Sequence, residues 1–235
     1  MARVTGGVAS SIHGGASHPA ARTNIGRRRG SCRSRRARSP RHDRAPVNGS
    51  GVRDNAGVTN SPSDFALTLD ELRVVARYAA ESAQESLSVF ETDRPHDPRA
   101  RAAISAAWEF VHGAPRSKLQ RVAALDAHRA AKDAATPAAR AAARAAGDAA
   151  ASAYLHPLAR ASQVGHILRA AAFAARALEL AADGDEGVAA QVIERARRRA
   201  SPTLVEVLRR YPLAPEGKNR VDQLWKALDT ALRPE

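Results

Sequence analysis

The chain has 235 residues, with 37 Lys and Arg against 24 Asp and Glu, and 33 of the 37 are Arg. Residues 1–62 hold 12 Arg and two Asp, a net of +10, with no aromatic residue and no Leu, whereas residues 63–235 hold 25 basic and 22 acidic groups, a net of +3. The overall charge of +13 is therefore mostly a property of the first 62 residues, and it excludes a strongly basic body for the remainder.

Low apolar content and high net charge leave residues 1–62 unable to bury enough surface to offset chain entropy, so a disordered tail is expected there. Between Arg27 and Arg44 lie nine Arg and one Asp, which suits an arm that binds nucleic-acid phosphates by counterion release. The tail has no aromatic side chain for base stacking, and the preference for Arg over Lys runs through the whole chain. A misassigned start is the competing reading, with the native protein beginning near Val52 or Val58, because Met1 is the only Met. Cys32 is the single cysteine, so one chain can form neither a disulfide nor a cysteine-based zinc site, which fits a reducing cytoplasm. No apolar stretch of the roughly 7–15 residues a secretory leader needs follows Met1. The Ala-rich stretch 134–153 is interrupted by Arg140, Arg144 and Asp148, each costing about 2.5–3.5 kcal/mol at a bilayer centre. A soluble cytoplasmic protein is expected, in two parts: tail 1–62 and one Ala-rich helical domain 63–235.

Thr68 followed by Glu71 has capping-box spacing. Leu72, Ala76, Ala79, Ala83, Leu87 and Phe90 then recur at steps of three and four, which predicts one helix that Pro95 and Pro98 stop. Ile104, Trp108 and Val111 mark a second helix ended by Gly113 and Pro115. A third is expected from about Arg116 to Ala135 with Leu119, Val122 and Leu125 facing inward. Thr136–Pro137 opens an Ala helix reaching about His156, in which 13 of the 20 residues from 134 to 153 are Ala. Small faces of this kind gain stability through close helix approach rather than large buried side chains. Val164, Ile167, Leu168, Ala171, Ala175 and Leu178 define a fifth helix up to Gly184, and Val188, Val192 and Ile193 a sixth from about Glu186 to Arg199. Ser201–Pro202 caps a short helix carrying Leu204, Val205 and Leu208. Asn219 caps the last, with Val221, Leu224, Trp225, Leu228 and Leu232 on one face. No window alternates as a half-buried strand does. The fold expected is all-α, a compact bundle of about seven to eight helices rather than a repeat solenoid.

A Walker loop, G-x-G-x-x-G, His-Glu-x-x-His and G-x-S-x-G are all missing from the sequence, so a nucleoside-triphosphate-driven or hydrolase reading starts without support and no cofactor is expected. The polar residues of interest are Asp126, His128, Asp148, His156 and His166. In antiparallel neighbouring helices they would converge, as buried or capping structural groups, as a binding surface, or as metal ligands or an acid/base pair. Arg195, Arg197, Arg198 and Arg199, with Arg209 and Arg210, form a second cluster. It is either a solvated helix C-terminus, favoured by the helix dipole, or a patch for an acidic partner.

Further residues carry a resemblance: Leu69-Asp70-Glu71-Leu72, Gly113-Ala114-Pro115-Arg116, Ala127-His128-Arg129, Ala145-Ala146-Gly147-Asp148, Tyr154-Leu155-His156 and Val164-Gly165-His166-Ile167, followed by Ala171 to Ala174. With these, the stretch from Leu67 to Leu232 resembles the Imm-5-like family of small helical immunity proteins associated with bacterial polymorphic toxin systems. The resemblance implies a non-catalytic binding protein whose partner is a cognate protein toxin, neutralised by occlusion. It transfers no contact residues. The alternative from the residues themselves is a helical nucleic-acid-associated protein using the tail and the Arg195–Arg210 patch; a metal-assisted hydrolase is a third. No membrane association is expected.

Overall fold

Residues 65–233 are described by the computed structural model, and the expected tail, with its boundary at residue 62, lies outside the described residues. Nine α-helices follow in chain order: α1 (Leu69–Gln84), α2 (Leu87–Asp93), α3 (Arg99–Val111), α4 (Lys118–Asp133), α5 (Pro137–Ala151), α6 (Val164–Ala181), α7 (Glu186–Arg199), α8 (Pro202–Arg209) and α9 (Arg220–Leu232). No strand occurs among the described residues.

Local chemistry explains where the helices begin and end. The Thr68 side chain accepts the Glu71 N–H while the Glu71 carboxylate accepts the Thr68 N–H, and Ser117 and Gln120 repeat this reciprocal cap on α4. Thr136, Ser201 and Asn219 accept from the N–H groups of Ala139, Leu204 and Asp222. Gly113 and Gly184 sit just past the ends of α3 and α6 with φ of 105° and 86°, a left-handed region that a Cβ disfavours.

Three expectations need correction. The first helix is not continuous to Phe90: it breaks at Glu85–Ser86 between α1 and α2. The Ser82 and Ser86 hydroxyls donate to the carbonyls of Tyr78 and Ala83, offering the backbone an alternative to its ladder, and Glu85 turns toward α7. The apolar stripe from Leu72 to Phe90 stays buried across the break. Second, the Ala helix stops at Ala151, and a single 3-10 turn at Ser152–Tyr154 carries the chain onward, short of His156. Third, α4 does not turn Leu119, Val122 and Leu125 inward: they are 46 %, 40 % and 52 % exposed. Its buried face is Gln120, Ala123, Ala124, Ala127, Ala130 and Ala131, laid against α5, which buries ten residues that are Ala or Gly together with Asp148. A seam this close has room for methyl groups and none for isobutyl groups.

The architecture is a closed bundle. α5 packs against α1, α2, α3, α4 and α6, and α6 packs in turn against α1, α7 and α9, which a nearest-neighbour solenoid does not do. Its core has two halves. One is built of large side chains on α1, α6, α8 and α9, among them Leu168, Leu204, Leu208, Trp225 and Leu228. The other is the Ala-rich seam of α4 and α5, filled out by Leu87, Phe90, Ile104 and Phe173.

Candidate functional site

α4 and α5 run antiparallel: the Tyr154 hydroxyl, just past α5, donates to the Ser117 carbonyl at 2.5 Å, and further along His128 lies beside Gly147. Gly147 is what allows this second approach, because a Cβ there would lie 2.7 Å from His128 Cε1. The imidazole thus rests on the backbone of α5. Its Nε2 is 3.6 Å from Asp148 Oδ1, a charge contact too long for a hydrogen bond.

Asp148 is the buried charge of this region. Burial pushes its carboxyl up to about 6, against the pull of Arg169 and Arg144. Its Oδ2 lies 3.5 Å from Arg169 Nε and accepts no hydrogen bond. Burial also lowers the His128 imidazole, and the positive Arg169 and Arg144 lower it further. His166 is lowered by burial, Arg169 and His156, while a hydrogen bond with the Ala151 backbone acts in the opposite direction.

His128, His156 and His166 line one surface cavity of about 340 Å³, together with Arg121, Leu125 and Tyr154. The loop that brings His156 there is tied down through its backbone: its N–H donates to Gln163 Oε1 at 3.0 Å, and its carbonyl accepts from the Tyr211 hydroxyl at 2.9 Å. Arg121 and Arg116 stand over the Tyr154 ring at 4.8 and 5.7 Å. Of the five expected polar residues, three therefore converge on the cavity and Asp148 lies behind His128. Asp126 does not join them: it accepts from Arg129 at 2.6 Å, one turn along α4. Arg121, Arg144, Tyr154 and Arg169, which also shape the region, are not among the site residues expected from the sequence. The i, i+4 spacing of Arg144 and Asp148 was a usable signal, whereas Tyr154 and Arg169 reach the region through tertiary packing.

Among the described residues no group of three or more His, Cys, Asp or Glu is placed to hold a metal ion. A larger cavity of about 730 Å³, lined by Val89, Thr92, Asp93, Pro137 and Leu180 among others, lies away from the histidines. Its one carboxylate is already engaged, since Asp93 accepts the N–H groups of Ala135 and Thr136. We therefore place the candidate site at the smaller cavity, where three of the expected polar residues converge.

The arginine cluster is largely neutralised from within. Arg195 and Arg199 reach across to Glu85 at 3.0 and 2.6 Å, Arg197 and Arg198 both meet Glu194 at 2.7 Å, and Arg210 meets Glu71 at 2.5 Å. Arg199 also donates to Ser82 Oγ and lies over the Tyr78 ring. Arg195, Arg199 and Arg210 thus tie α7 and the end of α8 to α1 and its C-terminal end, while Arg197 and Arg198 pair within α7.

Compared with known proteins, residues 66–202 match the model of a family described as "Imm-5 like putative immunity protein", a span that takes in α1 to α7 and the whole cavity and stops where α8 begins. No curated protein and no solved structure matches. Among the described residues no helix is long and apolar enough to cross a membrane.

Proposed function

The chain belongs to the Imm-5 like immunity-protein family, and from that premise we propose that it is a non-catalytic helical binder that neutralises a cognate protein toxin by occluding it, acting in the cytoplasm. The observation that carries this reading is the family match itself, which covers the α4–α5 seam and the three-histidine cavity in one span. The geometry suits it. A seam of Ala on Ala has almost no rotamer freedom to lose, so a face built on it is presented to a partner already ordered. The site offers aromatic, guanidinium and aliphatic surface around the His128 and His166 imidazoles, both held toward their neutral form, which is the make-up of a recognition surface. The nucleic-acid alternative gains little from the Arg195–Arg210 patch, because Arg195, Arg197, Arg198, Arg199 and Arg210 each meet a carboxylate of the same chain.

The test is inspection of the neighbouring genes for a toxin domain, followed by co-expression with any that is found. Occlusion predicts rescue of growth that tracks the amount of this protein, a stable complex on size exclusion, and toxin recovered from it with unchanged mass and full activity after denaturing separation. Toxin recovered cleaved or covalently altered would mean that the protein acts as an enzyme on it.

A further inference from the structure

Leu119, Val122 and Leu125 form an apolar strip on the solvent side of α4, and Leu125 is also part of the cavity wall. Arg121, Leu125 and His128, spaced four and three apart, continue the strip into that cavity along one helical face. Among the described residues nothing covers it. Exposed aliphatic residues scattered singly are ordinary, but three on one helix, adjoining a concave site, form a patch.

The charge around it is not random. Residues 116–169, which carry α4, α5 and the start of α6, hold nine Arg and Lys against three Asp, a net of +6, whereas the rest of residues 63–235 holds 16 against 19, a net of −3. Each of the three Asp is already engaged: Asp126 with Arg129, Asp133 with Arg99, and Asp148 in the interior. Arg116 and Arg121 face the Tyr154 ring and meet no carboxylate among the described residues. Positive charge is thus in excess in the segment that also exposes the apolar strip, and Arg116 and Arg121 beside the cavity are left without a carboxylate among the described residues.

We propose that the outward face of α4, from Leu119 into the cavity beside Leu125, docks an acidic surface of a partner protein that sets an apolar side chain against Leu125 and a carboxylate against Arg121. This rests on the immunity reading and names the chemistry of the partner. Other occupants fit less well. A second copy would bring the same +6 against itself, and the chain's own residues 1–62, at +10, carry the same sign. A nucleic acid matches the charge but has nothing to cover Leu119 and Val122. Arg121, held against Tyr154 before binding, has little freedom left to lose, which favours it as an anchor. The unmatched charge would act mainly on the association rate.

The experiment titrates any toxin domain found encoded beside the gene into the full-length chain and into Leu125→Asp, Arg121→Glu and, as a control on the neutralised patch, Arg198→Glu. All three positions of change are exposed, and far-UV circular dichroism checks that each variant folds. Each α4 substitution is expected to weaken binding by about tenfold or more, with Arg121→Glu acting largely on the association rate and most strongly at low salt, while Arg198→Glu stays within about twofold. Toxin binding that is equal in the native chain and both α4 variants would overturn this surface and leave occlusion standing. Should the native chain bind no toxin, the immunity reading fails instead, and the surface is then judged on a short helical peptide with Leu along one face and Glu around it. Saturable binding lost in Leu125→Asp supports the surface; equal binding to both chains refutes it, as does single-stranded DNA binding that the two α4 substitutions weaken more than they weaken peptide binding.

Discussion

Replacing Asp148 by Asn should make the protein more stable at neutral pH. A carboxyl held at about 6 rather than the ordinary 3.8 costs about 3 kcal/mol once ionised, at about 1.4 kcal/mol per pH unit. The folded state binds this proton more tightly than the unfolded chain does, so stability falls as pH rises from 3.8 to about 6, and the whole penalty is present above that. Asn fills the same volume without the charge, so up to about 3 kcal/mol is recovered at neutral pH, a rise in Tm of about 6–12 °C for a domain of this size. The gain should shrink to nothing near pH 4, where Asp148 is itself protonated. His128 and His166 act in the opposite direction. Their folded-state pKa values lie below 6.5, so each takes stability away as pH falls through that value. In the native chain the two trends oppose each other, giving a shallow profile, whereas Asp148→Asn should lose stability steadily below about pH 6.5. Urea unfolding followed by circular dichroism across this range reads both effects. An Asn variant less stable than the native chain at neutral pH would refute the reasoning, because it would mean that Arg169 and His128 reward the ionised carboxylate by more than burial penalises it.

Three further predictions test the packing. Leu168→Ala, at a fully buried position on α6, should cost about 2–5 kcal/mol, whereas Leu125→Ala on the outer face of α4 should change stability by no more than about 0.5 kcal/mol in the same urea titrations. Arg199→Lys should cost about 1–2 kcal/mol, since one ammonium cannot meet Glu85, Ser82 Oγ and the Tyr78 ring together, and the loss should narrow in high salt. Gly147→Ala gains helix propensity of about 1 kcal/mol but places a Cβ where the His128 ring lies. We expect a net stability change below about 1 kcal/mol, with the His128 pKa, followed by NMR, rising toward its ordinary value as the ring is pushed into water.

Most of the architecture was legible because it depends on local rules. Thr68, Thr136, Ser201 and Asn219 cap the helices they were expected to cap, and Gly113 and Gly184 end theirs, since each of these residues satisfies a nearby backbone group or supplies a backbone conformation. The break at Glu85–Ser86 was hidden because the apolar periodicity runs straight through it; what divides α1 from α2 is a pair of serine hydroxyls and a glutamate drawn to arginines 110 and 114 residues away. The candidate site was legible to the extent that His128 and Asp148 lie on adjacent antiparallel helices. Tyr154 and Arg121 meet only once the 3-10 turn has brought the chain back over the start of α4, a contact no spacing rule contains.

The orientation of α4 shows where hydropathy and packing part. A hydrophobic ranking assigns Leu119, Val122 and Leu125 to the interior, since burying one such side chain is worth about 1.5–3 kcal/mol. The helix nevertheless turns its alanines inward, because the face it meets on α5 is itself Ala and Gly, and a Leu inserted there would force the two backbones apart along the whole seam. Between a few large side chains and a long run of close backbone contact, the run wins when the partner helix is as poor in side-chain volume as α5. The displaced Leu and Val residues then lie on the surface as a consequence of the Ala-rich seam. In a chain that had to be only stable, polar residues at 119, 122 and 125 would serve better. Their presence beside unmatched arginines is what a surface selected for a partner would look like, and the contrast between Leu125→Asp in the binding assay and Leu125→Ala in the unfolding assay separates that role from a structural one.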